Sequence, residues 1–391
     1  TAMLQLSHRR GSMESMKIVI APDSFKGSLT ARQAADAIER GVRRATPDVD
    51  IISIPMADGG EGTVHALVDA TGGRLISTRV TGPLGEPVAA TYGILGDGAT
   101  AVIEMAEAAG LHLVGTTPDP LRATTRGVGE LILDALDHGA ERIIVGLGGS
   151  ATNDGGAGMA QALGIRLLDA DDRDLPVGGA ALADLDRIDC TGLDPRVTRT
   201  PIILASDVTN PLAGPDGASA VFGPQKGATP AMVEQLDQAL SHYAAVVRRD
   251  TGRSVDAIPG AGAAGGLGAG FLAFTDATMR SGVDLVIETV GLKERAVDAD
   301  YCFTGEGRID GQTQYGKTPM GVARAVHEAA PACRVIALAG SIGEDAEQLN
   351  ALGFAAVFGI QPGAVSLQEA LAGASRNLER TAEQVMRLLV S

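Results

Sequence analysis

The chain has few lysines and little positive charge of any kind. Of its 391 residues, 32 are Lys or Arg and 48 are Asp or Glu, so the formal net charge is −16. Only five of the basic residues are lysines; all the others are arginines. Because proteins that bind nucleic acid non-specifically carry a basic surface, no nucleic-acid partner is expected.

Cysteine and long apolar runs are also scarce. Cys190, Cys302 and Cys333 are an odd number, lie far apart and include no CxxC pair. They are expected to be reduced and buried, as in a cytoplasmic protein. No apolar run reaches the ~18 residues that a membrane helix needs, so the sequence predicts no membrane association.

Glycine, by contrast, is abundant. The chain has 52 glycines, about twice the usual share of ~7%. They follow apolar runs without a fixed period, which excludes collagen and solenoid architectures. The length predicts two or three domains. Residues 1–15 are expected to be a leader outside the fold, because a second start-like residue, Met16, opens the first apolar run.

The first 70 residues have the pattern of alternating strands and helices. Met16–Ala21 is a β-branched apolar run, typical of a buried parallel strand. Thr30 and Gln33 have the spacing of a capping box and predict a helix start. A second strand is expected at Ile51–Ile54. Each strand is followed by a glycine-containing loop, at the position where open α/β sheets bind ligands.

The rest of the chain predicts a second body inserted into the first. Residues 74–114 have short β-rich runs with Gly-Pro turns, which favour antiparallel strands. Later strands are expected at Arg142–Leu147, Pro201–Ala205, Asp284–Ile287, Tyr301–Thr304, Val335–Ala339 and Ala356–Ile360. We therefore expect an α/β fold of two α/β domains, one Rossmann- or flavodoxin-like with a parallel sheet and one mixed. The predicted limits are 16–80 plus 290–391 for the first and 81–289 for the second, with the active site in the cleft between them.

Five loops combine glycine with carboxylates, and three of them contain a lysine next to a glycine. Glycine lets backbone N–H groups converge on phosphate oxygens, and a following helix N-terminus adds partial positive charge. Any single loop could equally be an ordinary turn between strand and helix. Together they indicate phosphoryl transfer, which needs a cradle, cations, a metal and a base. The loops are Asp23–Lys26, Asp58–Thr63, Gly148–Gly156, Asp207–Lys226 and Thr304–Lys317.

Gly311–Thr318 matches the P-loop pattern GxxxxGK[ST] in every position. A true P-loop follows a strand directly and opens a helix. Here the predicted strand ends near Thr304, and the residues GEGRID intervene. Pro319 does suit the start of a helix. A P-loop fold is therefore a minor alternative, although Lys317 is still expected to face an anion.

At these loops the chain resembles the bacterial glycerate kinase family, of the glycerate 2-kinase type. The resemblance extends from Met16 to the C-terminus. It implies ATP- and Mg²⁺-dependent phosphorylation of D-glycerate, with 2-phosphoglycerate the favoured product, by a monomer or homodimer with a two-domain fold distinct from P-loop kinases. The motifs are KIVIAPDSFKGSLTA (17–31), PMADGGEGT (55–63), LGGSATNDGGAGMAQALG (147–164), SDVTNPL (206–212), FGPQKG (222–227), GAAGGLG (262–268), and TGEGRIDGQT with GKTP (304–319).

Roles for the loop residues follow as hypotheses from this resemblance and from their chemistry. The expected catalytic residues are Asp207, Lys317 and Asp58. The expected substrate contacts are Asp23, Ser24, Lys26, Glu61 and Arg308. The expected ATP contacts are Gly149, Ser150, Thr152, Asp154, Gly155, Lys226, Gly265 and Gly266. The expected Mg²⁺ ligands are Asp207, Glu306 and Asp310.

Several alternatives stay open at this point. Lys26 could be a solvated turn residue, Asp207 could cap the next turn through Asn210, and Asp154 could be a helix N-cap. The protein could phosphorylate another small hydroxy acid, or bind a nucleotide or anion without catalysis. A dinucleotide enzyme is disfavoured, because no strand-GxGxxG-helix unit is found.

Overall fold

The structure, a computed structural model, describes residues 16–391, so the expected leader lies outside the described residues. In chain order, its strands are β1 Lys17–Ile20, β2 Asp50–Ser53, β3 Arg74–Thr81, β4 Pro87–Ile94, β5 Thr100–Glu104, β6 Arg142–Gly146, β7 Arg166–Leu168, β8 Arg187–Asp189, β9 Ile202–Ala205, β10 Thr278–Arg280, β11 Tyr301–Ile309, β12 Arg334–Ile342 and β13 Phe354–Gly359.

Thirteen α-helices are assigned within the same described range. They are α1 Ala31–Ala45, α2 Thr63–Thr71, α3 Ala106–Ala109, α4 Arg126–Asp137, α5 Ala157–Ala162, α6 Ala218–Phe222, α7 Pro230–Thr251, α8 Ala263–Phe274, α9 Gly282–Thr289, α10 Leu292–Ala296, α11 Thr318–Ala329, α12 Leu367–Ala372 and α13 Ala374–Val390. Short 3₁₀ helices lie at Leu111–Leu113, Gly179–Asp184, Pro224–Lys226, Gly311–Tyr315 and Ala346–Leu352. None of these described helices is both long and apolar enough to cross a membrane.

The described chain divides into two compact units. Unit 1 contains the residues before 57 together with 287–391, and unit 2 contains 57–286. The first limit lies earlier than the expected position near residue 80, because Val64 of α2 donates to Glu104 of β5 and β3 forms an eight-residue antiparallel pairing with β4, all within unit 2. That each unit is an independent domain stays a prediction.

Unit 1 is built on a five-stranded parallel sheet. Its strand order is β13-β12-β11-β1-β2, and every neighbouring pair is parallel. Counted within the unit, this is the order 2-1-3-4-5 of flavodoxin-like folds, whose ligands bind where the order reverses. The reversal here lies between β1 and β11. The predicted Rossmann- or flavodoxin-like parallel sheet is confirmed.

Helix α1 of unit 1 begins and packs as the sequence predicts. Thr30 Oγ1 accepts from Gln33 N at 3.2 Å, and the Gln33 side chain accepts from Thr30 N at 3.0 Å, so the capping box is complete. Ala34, Ile38 and Val42 are fully buried in the core of unit 1 together with residues of α13. This apolar stripe holds α1 on the sheet and leaves the preceding loop, 21–29, at the end of β1.

Unit 2 is built on a mixed six-stranded sheet of order β10-β9-β6-β5-β4-β3. The pairs β3-β4 and β4-β5 are antiparallel, as residues 74–114 predict, and the pairs from β5 to β10 are parallel. The parallel half therefore has its carboxyl ends at one edge. This confirms the mixed α/β expectation for the second body.

Two predicted strands differ from the structure. Asp284–Ile287 lies in helix α9, not in a strand. Val283, Val286, Ile287 and Val290 are buried at helical spacing, which a four-residue window of apolar letters cannot reveal. Strand β11 continues to Ile309, five residues beyond the expected end at Thr304, because it pairs with β12 over most of its length.

Among the cysteines, Cys302 and Cys333 are buried as expected, but Cys190 is exposed. It directly follows the short surface strand β8, which pairs only with β7. The expectation of three buried thiols is therefore wrong at this position.

Replacing Gly41 by alanine should test the contact between α1 and α13. Helix propensity alone predicts that alanine stabilises a helix by ~1 kcal/mol. A Cβ at Gly41, however, would lie 2.2 Å from the Glu379 carbonyl oxygen, and such overpacking costs ~1–3 kcal/mol. We expect a lower free energy of unfolding in urea for Gly41→Ala, and little change for exposed Arg32→Ala. A stabilised Gly41→Ala protein would contradict this packing.

Candidate functional site

Asp23 connects the loop after β1 to the first residue of α11. Its Oδ2 accepts a hydrogen bond from Thr318 Oγ1 at 2.5 Å, and its Oδ1 accepts from Ser24 N at 2.6 Å. The backbone N of Asp23 donates to the Gly305 carbonyl at 2.8 Å. The carboxylate is buried and positions Ser24 and Thr318, and the substrate contact expected of Asp23 stays a prediction.

Lys26 lies in the tight turn that follows. The turn is closed by hydrogen bonds between the backbones of Phe25 and Leu29, and Gly27 within it has a φ of +78°. The Lys26 side chain is exposed. It forms no ion pair with any residue in the described range, so its ammonium group is available to an anion in solution.

Four predicted residues of unit 1 come together at the end of β11. Side chains two residues apart in a strand share one face, which places Glu306 and Arg308 on the same side, followed by Asp310. Lys317 Nζ lies 3.4 Å from Glu306 Oε1 and 3.9 Å from Asp310 Oδ1. Arg308 Nε lies 3.0 Å from Asp310 Oδ2. The result is a compact cluster of two cations and two carboxylates.

The longer β11 also changes the context of the P-loop-like motif. The strand ends at Ile309, so Gly311 follows almost directly, and all of GEGRID except its final Asp310 belongs to the strand rather than to a spacer. Residues 311–315 form a 3₁₀ turn, and Lys317 precedes the first residue of α11, with Pro319 second in that helix. The ammonium of Lys317 contacts the strand's own carboxylates instead of an open backbone cradle.

The DGGEG loop of unit 2 lies against the carboxyl ends of β6 and β9. A Cβ at Gly146 would lie 2.3 Å from the Gly59 carbonyl oxygen, and one at Gly282 would lie 1.9 Å from the Asp58 carbonyl oxygen. Only glycine fits at either position. Asp58 Oδ1 accepts from Gly60 N at 2.9 Å, so the loop is fixed both by packing and by its own side chain.

Asp207 follows β9 and faces this loop. Its carboxylate accepts hydrogen bonds from the Ser281 side chain and the Gly282 backbone. Asp207 is open to solvent, yet partial loss of hydration raises the pKa of its carboxyl group, and the nearby charges of Asp58 and Asp284 raise it further. The predicted pair Asp58 and Asp207 is therefore brought together. The alternative that Asp207 caps the next turn through Asn210 has no support among these bonds, since the donors to its carboxylate are Ser281 and Gly282.

Glu104 was not identified from the sequence, although it is central to this arrangement. It ends β5, is only 7% exposed, and accepts from Val64 N at 2.8 Å and from Gly62 N. Burial raises the pKa of Glu104 to about 7. It holds the first turn of α2 and with it the DGGEG loop, whose Glu61 is exposed. The sequence feature that could have identified Glu104 is an acidic residue at the carboxyl end of a buried apolar strand.

The predicted ATP contacts of loop 148–156 are directed into unit 2. Asp154 is fully buried and accepts from Thr125 N and Oγ1 at 2.8 and 2.9 Å, and from Gly156 N and Gly158 N at 3.1 Å each. These bonds offset the burial that raises the pKa of Asp154. Both oxygens of Asp154 accept bonds within the unit and fix the start of α5, although the N-cap residue of that helix is Gly156.

Lys226 is also buried, and its expected role as a phosphate contact stays a prediction. Its side chain is 1% exposed, and Nζ donates to the Thr152 carbonyl at 2.7 Å. Burial lowers the pKa of Lys226 to about 7, while Asp154 acts in the opposite direction. Lys226 ends the 3₁₀ helix Pro224–Lys226. It is thus an internal brace for loop 148–156.

The remaining predicted ATP contacts also pack within unit 2. Gly155 N donates to the Gly265 carbonyl at 3.0 Å, and Gly265 and Gly266 have left-handed backbones at the kinked start of α8. Gly149 accepts from Leu111 N at 2.9 Å. Ser150 and Thr152 are buried, and Thr152 Oγ1 has no hydrogen-bond partner in the described structure. These residues form the framework of the loop.

Glu104→Gln should remove a pH-dependent part of the stability. The carboxyl pKa is about 7 in the folded protein against an ordinary 4.5, so the folded state binds the proton more tightly. Its stabilising contribution is complete below pH 4.5 and is lost as the pH rises through 7. We expect the difference in unfolding free energy, wild type minus Glu104→Gln, to fall by roughly 3 kcal/mol between pH 4.5 and 7.5. Urea titrations at several pH values measure it.

Glu86→Gln, which replaces an exposed glutamate, is the matched control. This substitution should leave the pH dependence of the unfolding free energy unchanged. Parallel profiles for wild type and Glu104→Gln would contradict the raised pKa.

Lys226→Met should distinguish a structural role of Lys226, as donor to the Thr152 carbonyl, from a role in binding phosphate. Methionine fills a similar volume but leaves the buried Thr152 carbonyl without its donor, which costs ~1–3 kcal/mol. We expect Lys226→Met to have a lower free energy of unfolding than the wild type. Lys293→Met, which replaces an exposed lysine, should change it little. A phosphate contact would give the opposite result, namely normal stability with weakened ADP binding by calorimetry.

Comparison with known proteins agrees with the motifs on which this site is built. The sequence model described as the glycerate kinase family matches residues 18–390. The chain is 54% identical to a glycerate kinase of Bacillus subtilis (strain 168) over 371 residues, which is 95% of this chain and 97% of that protein. It is 50% identical to a glycerate 2-kinase of Escherichia coli (strain K12) over 375 residues, 96% of this chain and 98% of that protein.

The fold has a counterpart among solved structures. The crystal structure of a Salmonella typhimurium LT2 protein, provisionally named glycerate kinase 2, matches with a TM-score of 0.85 at 50% identity. The match covers 96% of this chain and 98% of that one. Similarity of this extent in both sequence and fold shows that the chain belongs to the glycerate kinase family.

Proposed function

We propose that the protein transfers the γ-phosphoryl group of ATP to D-glycerate and forms 2-phosphoglycerate. Family membership supports the reaction class, and the relative named glycerate 2-kinase supports the 2-hydroxyl as acceptor. The observation in the structure that carries the proposal is the Asp207 carboxylate. It is held by Ser281 and Gly282 next to Asp58, at the end of a parallel strand.

Asp207 has the properties of a general base for a substrate hydroxyl. Phosphoryl transfer requires a carboxylate that orients the acceptor and takes its proton, and catalysis is most efficient when the pKa of the base approaches the working pH. Partial loss of hydration and the charge of Asp58 raise the pKa of Asp207 in that direction. Asp58 is proposed to assist through this charge and through the loop that it fixes.

The cations of unit 1 are proposed to neutralise the negative charge of the substrates. Lys26 is exposed, while Arg308 and Lys317 are held in ion pairs with Asp310 and Glu306. Because the whole chain has a net charge of −16, an anionic substrate depends on such local cations. Ser24, positioned by Asp23, is proposed to contact the same anion. That these groups act in a cleft between domains stays a prediction.

Magnesium fits the carboxylates that the structure provides. Mg²⁺ usually takes one or two protein carboxylates and completes its shell with water and phosphate oxygens. Glu306 and Asp310 are such a pair, while Asp207 remains a further candidate. The described residues contain no group of three or more His, Cys, Asp or Glu side chains that could hold a metal alone. When held by these carboxylates, Mg²⁺ would supply positive charge that offsets the negative charge developing on the transferring phosphoryl group.

An ADP-release assay with a panel of small hydroxy acids tests the substrate, and phosphorus NMR of the product distinguishes 2- from 3-phosphoglycerate. Turnover with D-glycerate and a 2-phosphoglycerate signal is the expected result. Preference for another acid would identify a different kinase of this family, and ATP binding without turnover would indicate a binding protein. The expected cytoplasmic location and the monomeric or homodimeric state stay predictions.

Asp207→Asn should lower kcat by several orders of magnitude and leave the thermal midpoint nearly unchanged. The amide has almost the same shape but accepts no proton, so only the chemical step is affected. In the wild type, kcat should fall as the pH drops through the raised pKa of Asp207, because the base becomes protonated.

The exposed aspartate of Asp184→Asn is the control and should retain wild-type turnover. Activity of Asp207→Asn within a few-fold of the wild type would exclude this residue as the base.

A further inference from the structure

Unit 1 contains a cavity that none of the predicted ATP contacts lines. Its volume is about 420 Å³, within the usual range of ~300–1,000 Å³ for small-molecule sites. It lies at the carboxyl-terminal halves of β11 and β12 and just beyond β13, where Gly307, Gly340 and Gln361 line it. This is the edge of a flavodoxin-like sheet at which ligands bind.

The floor of the cavity is bare backbone. A Cβ at Gly340 would lie 2.5 Å from the Gly307 carbonyl oxygen, so adjacent strands present a surface without side chains here. The Gln361 amide is fixed, because it donates to the Gly340 carbonyl at 3.2 Å and accepts from Asn377 at 3.3 Å. A flat floor with fixed polar groups at its edge suits a planar ring.

The opposite wall is apolar and largely uncovered. Leu367, Ala370, Leu371 and Ala374 line the cavity at the spacing of one helical face. Leu367 is 74% exposed, and Val365 and Leu371 are also exposed. Three large apolar side chains that converge on one cavity while open to solvent provide a surface that a bound apolar ring would cover.

Charge distinguishes the possible ligands. Among the described residues that line the cavity, Lys26 is the only charged one. A three-carbon acid such as glycerate would fill only a small part of this cavity. The apolar side chains of the wall would then remain exposed to water. A ligand with an aromatic ring and an anionic tail would use both the wall and the ammonium group.

We propose that this cavity of unit 1 binds the adenosine part of ATP, with Lys26 facing the phosphates. The inference rests on the proposed kinase function, since that reaction supplies the nucleotide. Of the ATP contacts expected in unit 2, Asp154 and Lys226 are buried and bonded within that unit. The wall of α12 and the glycine floor hold the base, and loop 24–28 carries the cation at the rim.

Leu367→Asp tests the proposal without disturbing the core, because the side chain is already exposed. Leu388→Asp is the matched control, since Leu388 is 70% exposed and lies outside the cavity. Calorimetry with MgADP on the whole protein should show at least a tenfold weaker Kd for Leu367→Asp, because its carboxylate replaces an apolar contact and repels the phosphates. Leu388→Asp should stay within twofold of the wild type.

A second pair of variants fills the cavity instead of charging it. Ala370→Phe places a ring where the base is proposed to lie, whereas Ala372→Phe adds the same ring to an exposed position of α12 that does not line the cavity. Only Ala370→Phe should weaken MgADP binding tenfold or more. The KM for D-glycerate should change less than twofold in all four variants.

Wild-type MgADP affinity in both Leu367→Asp and Ala370→Phe would overturn the inference, as would a change confined to the KM for D-glycerate. A wild type that fails to bind MgADP would overturn it as well. A wild type that binds MgADP at this cavity but does not phosphorylate glycerate would leave the nucleotide site in place and refute the proposed function.

Discussion

The parallel pairing of β1 with β11 is the contact on which unit 1 depends. Ile18, Val19 and Ile20 pair with Tyr301, Cys302 and Phe303, although residues 57–286 lie between them in the chain. The entropic cost of closing a loop grows only slowly with its length. A short buried strand pairing can therefore offset that cost even for so long an insertion. The same pairing places the Asp23 backbone against Gly305 and leaves the two loops at the switch point of the sheet.

Three buried acidic residues in the two units each accept hydrogen bonds from the start of a helix. Asp23 holds Thr318 at the start of α11, Glu104 holds Val64 in α2, and Asp154 holds Gly158 in α5. Each carboxylate meets the unpaired N–H groups or a hydroxyl of a first helical turn, where the helix dipole favours negative charge. Removing a charge from water is expensive. The loops that precede these helices are therefore held in place by contacts that would be costly to break.

Local sequence rules predicted what local interactions determine. The capping box at Thr30 and the stripe through Ile38 depend on residues a few positions apart, and the structure confirms them. The length of β11 and the helix at Asp284–Ile287 depend on pairing with β12 and on burial among distant residues. Asp58 and Asp207 follow strands of different sheets, and Glu306 and Lys317 lie on the two sides of the turn after β11, so a shared sheet edge does not account for either grouping. Glu104 and the burial of Lys226 required knowledge of packing that spacing alone does not contain.

The three lysines next to glycines show both the strength and the limit of reasoning from scarcity. A compact ammonium group is hard to replace by guanidinium where the backbone is crowded, and that argument holds for Lys226, whose ammonium fits against the Thr152 carbonyl. What it contacts within the chain is a peptide oxygen. Glycine permits close approach by whatever lies opposite, whether ligand or protein. Exposure therefore decides between the two uses, and of these lysines it leaves Lys26 as the cation turned toward solvent beside an open cavity.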